Sequence, residues 1–486
     1  MCAAARLAKM GHSVRIFENS NQFGGKCRTE RISGYSFDTG PSLLTLPAVY
    51  KDFFLKTGDP LDSVLTLQPV NPSFDYRFAD GSAVQFSNLS RLETLKFIEL
   101  SFGKDSKNDW DRLMKRAEQI WDVSRGPFIE SELNSMASLL RTPTLLADLR
   151  TIAPWKSLHA IVNQFSNDYR LQYIVDRYAT YSGSDPRRAP AALLSIAFVE
   201  EAFGAWHVQG GFGQLARAIK NRACELGVLF HFDTEVIEIN QNGRKATGVT
   251  LEDGTFVAAD VVVANADASL IYANLLKTDS PILKRPRKSL KKSNPSLAGF
   301  SLLLGLRPDA EAKPLEHHTI LFPDNYDAEF NSIFTLSIPA TDPTIYICSP
   351  KDLTMVEKPG HQAWTVLVNA PRHSTTGSGW DWSEKKFIQE YAQGIITHLE
   401  TRGIAIRGRL DLLEIRTPAD LERETMAPGG TIYGTSSNGA SSLFRKARNR
   451  SPLPGLFCVG GSSHPGGGLP LVGIGAEIVA KAIGRA

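Results

Sequence analysis

The sequence predicts an α/β protein: a Rossmann-like nucleotide-binding domain contributed by separated stretches and interleaved with an α+β domain. Three observations predict it. Near the amino end a helix-forming run closes at Gly11 and leads into the β-branched strand Ser13 to Glu18, then the loop Gly24-Gly25-Lys26. Helix, strand, acid and glycine loop in that order make half of a dinucleotide-binding βαβ unit. Between Val228 and Asp267 short strands alternate with the turn signals Asn242-Gly243 and Asp253-Gly254 and close on the apolar strand Asp260 to Ala264. At the far end Gly455 to Gly460 is again a strand, followed by a glycine-rich loop and a helix expected from about Gly475 to Ile483.

The remaining elements follow in order. Residues 75 to 87 alternate around Asp80-Gly81, a pair that tolerates the positive φ of a tight hairpin turn. From about Leu92 to Ile219 the apolar spacing is mostly helical, broken at Gly126-Pro127, Thr142-Pro143, Pro186 and Pro190, so a helical region is inserted here. Strands at Leu297 to Leu306, Ile345 to Cys348 and Trp364 to Asn369, with one helix over 384–401, predict a second sheet carrying its own layer. The nucleotide-binding domain is therefore expected from 1–75, 205–275 and 425–486, and the second domain from 76–204 and 276–424.

Composition bounds the function. A chain of 486 residues with 42% hydrophobic and 22% charged residues and a net charge of +3 is neither disordered nor collagenous nor a disulfide scaffold. Cys2, Cys27, Cys224, Cys348 and Cys458 form no C-x-x-C pair, which suits a reducing, cytoplasmic setting and argues against a structural zinc; no metal is expected. A membrane-spanning helix needs roughly 20 apolar residues. The longest candidates, 296–306 and 469–483, are too short or are interrupted by Glu477 and Lys481.

Several residues carry chemistry. Glu18, at the end of the second strand of the Rossmann pattern, is placed to accept hydrogen bonds from ribose hydroxyls; a solvated strand-end glutamate fits the same position. Gly24 and Gly25 would let backbone amides approach a pyrophosphate, with Lys26 and Arg28 to neutralise it; a plain surface turn is the other reading. Phe37-Asp38-Thr39-Gly40-Pro41-Ser42 is a rigid corner flanked by small hydroxyl residues.

These segments, together with Gln209 to Ile219, Ala259 to Asp267 and Leu456-Phe-Cys-Val-Gly-Gly-Ser-Ser-His-Pro-Gly-Gly-Gly-Leu-Pro470, resemble in order the bacterial phytoene desaturase type of carotenoid desaturase, within the flavin-dependent amine oxidase-like superfamily. The resemblance runs from residue 1 to 486. It implies FAD as cofactor, with Glu18 on the ribose and Gly24, Gly25, Lys26 and Arg28 bordering the pyrophosphate. Thr39, Gly40, Pro41 and Ser42 would line the flavin, and Val236 would meet the adenine through its backbone. Gly460 and Gly461 would approach the ribityl chain, and Gly467, Gly468, Leu469 and Pro470 the isoalloxazine. His464 is the titratable group in that loop, but a buried structural histidine bonded to backbone suits it better than a catalytic base. The implied activity is FAD-dependent desaturation of an apolar polyene. A carotene isomerase or carotenoid oxygenase shares the same motifs, and a redox-inactive prenyl-lipid escort shares the architecture.

Such a substrate lives in the bilayer, so peripheral docking at the inner face of the cell membrane is expected. Two features suit it. Leu133, Met136, Leu139, Leu140, Leu145 and Leu146 in the helical region could form a channel or a membrane face, or ordinary core. Lys284, Arg285, Arg287, Lys288, Lys291 and Lys292 could meet anionic lipid or form a solvated linker. Nucleic acid is not an expected partner, because the net charge is small and no aromatic platform accompanies the run. The family pattern also has a first strand and a Gly-x-Gly-x-x-Gly loop before the first helix, so the sequence is expected to be truncated, with roughly 10 to 15 residues upstream.

Overall fold

The computed structural model describes residues 1–133 and 145–486. Met136, Leu139, Leu140 and the break at Thr142-Pro143 lie outside the described residues, as do the side chains of Leu145 and Leu146; Leu133 is buried.

The amino-terminal helix Cys2–Lys9 buries Ala3, Ala4, Ala5 and Leu7, a mostly small face that lets it pack closely on the helices Gly213–Glu225 and Leu469–Ile483. Two parallel ladders accompany these helices. Arg15–Phe17 pairs with Leu229–His231, and Val262–Ala264 with Leu456–Cys458. Parallel pairing needs a crossover connection, and here the crossovers contain the helical region and every strand of the second, seven-stranded sheet. Val236–Gln241, Ala246–Leu251 and Phe256–Ala258 add an antiparallel three-stranded sheet. Ala5, Phe53, Phe54, Phe212, Leu215 and Leu469 share one core cluster, so first, middle and last stretches of the chain are packed together.

The second sheet has seven strands in the order Leu410–Arg416, Ala298–Leu306, Gln362–Ala370, Ile345–Cys348, His318–Leu321, Phe74–Arg77, Ala83–Phe86. All neighbours are antiparallel except His318–Leu321 with Phe74–Arg77. Strand periodicity divides its side chains between two cores. Phe300, Leu302, Leu304 and Leu306 face Trp364, Trp382 and the helix Lys385–Thr401, whereas Leu303 packs with Tyr35 and Phe37 of the hairpin Thr29–Ile32/Tyr35–Asp38. A third core joins Phe74, Tyr76 and Phe86 to Trp110 and Ile120 of the helical region.

The hairpin at 75 to 87 is present, but Phe74–Arg77 belongs to the seven-stranded sheet, so a boundary at 75 falls inside a strand. The helical region is interrupted by Trp206–Val208, which pairs with Leu67–Pro69. The last helix begins at Leu469, not near Gly475. Pro470 is favoured in a first turn, and Gly468 supplies the positive φ (+101°) before it. The basic run is a helix, Lys284–Lys291, and not a linker. Arg287 is half-buried there and donates to the carbonyls of Tyr272 and Leu276. No helix among the described residues is long and apolar enough to cross a membrane.

Candidate functional site

Glu18 ends the strand Arg15–Phe17 half-buried. Its amide donates to His231 O (2.9 Å) and its carbonyl accepts from Thr234 N (2.9 Å), which fixes the strand end against its neighbour. Its Oε1 accepts from Ser20 N (3.0 Å), and Ser20 Oγ accepts from Arg28 Nη2 (3.1 Å). One serine therefore holds a carboxylate and a guanidinium side by side. The Arg28 Nε is buried without a partner among the described residues. Val236 opens its strand two residues after Thr234 and so stands beside this end of the sheet.

The corner Thr39 to Ser42 is pressed onto the glycine loop. Thr39 N donates to Arg28 O (3.1 Å), and a Cβ on Gly40 would lie 1.6 Å from Lys26 O, so only glycine permits the approach. Asp38, just before it, locks a third segment: its Oδ1 accepts from Thr29 Oγ1 (2.6 Å) and Phe212 N (2.7 Å), while Thr29 Oγ1 accepts from Gly213 N (2.7 Å). Burial pushes the Asp38 carboxyl up to about 7. Ser42 Oγ is 2.6 Å from Tyr346 OH, which is 2.8 Å from His318 Nδ1.

Lys26 joins these loops to the carboxyl-terminal one. Its Nζ donates to Thr431 O (2.7 Å) and Ile432 O (2.8 Å), and burial lowers its pKa to about 8. The next residue, Tyr433, lays its ring on Gly467, and Gly434 sits against Asp267 and Ser462. Gly460 has φ +96° and abuts Asn265, whereas the nearest atom to a Cβ on Gly461 is Gly467 Cα at 3.4 Å. Gly468 is exposed at the helix start, Pro470 is half-buried, and Leu469 O accepts from Tyr50 OH (2.7 Å).

His464 is fully buried, with Nε2 2.9 Å from Ser131 O. A carbonyl only accepts, so Nε2 carries the proton. Desolvation lowers the ring's pKa to about 4, which leaves it neutral and structural near pH 7.

The fold assembles groups that sequence reading missed. Ser463 Oγ is buried without a partner among the described residues, and Lys446 is buried beside Gly466. His317, His318 and Cys348 also meet, with donor atoms within 4.8 Å of one another and all three residues buried. His318 and Cys348 are opposite one another on neighbouring strands. That register joins residues thirty positions apart, so no local spacing could have signalled the cluster. Burial holds His317 down to about 3 and His318 well below the usual histidine range, so both rings are neutral.

Arg28 with an unpaired buried Nε and a helix start at Gly468 fit the anionic part of a dinucleotide. The chain belongs to the family of flavin containing amine oxidoreductases, whose model matches residues 1–376. It is an FAD-dependent oxidoreductase. Its relatives include a 1-hydroxycarotenoid 3,4-desaturase of Flavobacterium sp. (strain P99-3), 30% identical over 99% of this chain and 96% of the relative. A 4,4'-diapolycopene oxygenase of Methylomonas sp is 28% identical over 99% and 95%. Among solved structures, an oxidoreductase from Methanosarcina mazei matches with a TM-score of 0.65 at 17% identity, over 99% of this chain and 97% of that one, a likeness of fold.

Proposed function

We propose that this protein introduces double bonds into an acyclic carotenoid precursor. The observation that carries the reading is the full-length similarity to a carotenoid desaturase, with the four glycine-bearing motifs in order. Desaturation breaks two C–H bonds on neighbouring carbons, one as hydride and one as proton, and forms one C=C. FAD, when bound, supplies the hydride acceptor.

The chain's residues hold and orient. Glu18 takes the ribose, and Gly24, Gly25 and Arg28 border the pyrophosphate. Lys26 pins the glycine loop to residues 431 and 432, so its cation is shared with two carbonyls. Asp38 fixes the Thr39 to Ser42 corner and the Gly211-Phe212-Gly213 turn together against the flavin. Neutral His464 buttresses the carboxyl-terminal loop and takes no proton at neutral pH. Loss of the proton next to a cation delocalised along a polyene needs only a weak base, which leaves positioning and exclusion of water as the protein's main contributions.

The substrate reaches the protein from a membrane in this reading, at the inner face of the cell membrane. Leu92 and Leu100 on the helix Arg91–Phe102 are 66% and 82% exposed, and Lys284, Arg285, Lys288, Lys291 and Lys292 are exposed on theirs. Such apolar and basic surfaces suit a lipid interface. The anaerobic flavin spectrum tests the substrate class. Liposome-borne acyclic carotene should bleach the bound flavin while putrescine leaves it yellow; bleaching by the amine alone rejects the reading.

A further inference from the structure

Lys446 is 7% exposed and makes no hydrogen bond or ion pair among the described residues. Buried charges are normally paired, because an unpaired ion costs several kcal/mol. Here the titratable neighbour in reach is His464, which is neutral, and among the described residues no carboxylate lies close enough to act on the ammonium; burial alone pushes it down to about 8. Residues 446 and 447 run beside the carboxyl-terminal loop, with Ala447 bridged to Ser463 and His464 N donating to Ala447 O (2.9 Å). The Lys446 Nζ lies 2.9 Å from where a Cβ on Gly466 would stand, so glycine leaves the ammonium its space. Ser463 Oγ is buried without a partner among the described residues. Three residues beyond Gly466, the 15-residue helix Leu469–Ile483 begins, and its first amides point out of the helix with no acceptor of their own.

A cation, a hydroxyl and a helix amino end, all unmatched among the described residues, call for an anion. We propose that Lys446 and the start of the helix Leu469–Ile483 form an anion subsite for the negative charge that FAD gains at N1–C2=O on reduction. The inference rests on the reading that Gly467 to Pro470 border the isoalloxazine. A neutral oxidised ring that accepts a hydride, two electrons and one proton, carries one net negative charge afterwards. A cation held there stabilises the reduced form over the oxidised form and makes the flavin a stronger oxidant toward an allylic C–H bond. The same cation burdens the protein when no anion is present, so Lys446 trades stability of the flavin-free protein for oxidising power.

The test compares the native protein with Lys446→Met, which keeps the length of the side chain and removes the charge, and Lys446→Arg, which keeps the charge. The readouts are thermal unfolding of flavin-free protein, FAD affinity in the oxidised state, and the flavin midpoint potential against reference dyes. Lys446→Met should raise the unfolding midpoint and change oxidised FAD affinity less than about threefold. It should also weaken the reduced form by at least about tenfold relative to the oxidised form, which lowers the potential by about 30 mV for two electrons. Lys446→Arg should restore most of that drop. A lower unfolding midpoint in Lys446→Met would make the lysine a structural residue and overturn the proposal. Equal weakening of both oxidation states, with the potential unchanged, would move the cation to the pyrophosphate and overturn it as well. Native protein that takes up no FAD would instead overturn the flavin reading on which the proposal rests.

Discussion

Tyr433 and Gly467 are packed so closely that a Cβ on the glycine would lie 2.3 Å from Tyr433 Cδ1. Gly467→Val therefore damages the protein itself before any cofactor is considered, and its flavin-free form should unfold several degrees lower. Gly461 is the cleaner probe, since a Cβ there meets its nearest atom at an ordinary 3.4 Å. Gly461→Ala should keep the unfolding midpoint of the flavin-free protein and lose FAD by tenfold or more in affinity. Flavin content by absorbance, measured beside thermal unfolding, checks both; full FAD occupancy in Gly461→Ala would remove this residue from the site.

Asp38 sets a pH dependence. Its folded pKa, raised to about 7 by burial, lies above the ordinary 3.8, so between those values the folded chain binds more protons than the unfolded one. Its contribution to stability is fully present below about pH 4 and is lost as pH rises through about 7, a change on the order of a few kcal/mol. In Asp38→Asn the amide oxygen still accepts from Thr29 and Phe212. The variant's unfolding midpoint relative to the native protein should accordingly climb from pH 4 to pH 7 and level off. Parallel curves across that range would show that Asp38 does not titrate there.

Tyr346 OH bridges Ser42 Oγ and the buried His318 Nδ1 in a part-buried setting. Tyr346→Phe strands both partners and should cost about 1–3 kcal/mol, read from denaturant unfolding. A loss under about 0.5 kcal/mol would mean that water replaces the hydroxyl at no cost.

The basic helix divides into two roles. Replacing Lys284, Arg285, Lys288, Lys291 and Lys292 by Gln should weaken binding to anionic liposomes at low salt and leave unfolding unchanged. Arg287→Gln should do the reverse, since Arg287 ties the helix to the carbonyls of Tyr272 and Leu276. Sedimentation with liposomes decides; unaltered binding of the five-residue variant would assign the run to a solvated surface.

Much of the fold was legible where one local signal dominated. The apolar run at 298–306, the Asp80-Gly81 turn and the Leu456 strand each state their own conformation. The hairpin Thr29–Ile32/Tyr35–Asp38 was not legible, because Thr29-Glu30-Arg31 carries polar residues that find partners elsewhere: Glu30 pairs with Arg416 and Arg31 with Glu357. His318–Leu321 was missed because a strand buried in the middle of a sheet loses the alternation that marks an exposed one. In the site, the glycines and Glu18 are visible from motif order. Lys446 and the pairing of His318 with Cys348 are not, since burial and cross-strand register are set by packing between distant segments.

Product analysis tests the central claim most directly. The protein, expressed in a host that accumulates an acyclic carotene such as phytoene, should convert it to a polyene absorbing at longer wavelength, with one pair of hydrogens lost for each double bond gained. A product of unchanged mass would make the protein an isomerase, and a gain of oxygen at unchanged conjugation an oxygenase. Either result, or an untouched carotene in cells where the protein is loaded with FAD, contradicts desaturation.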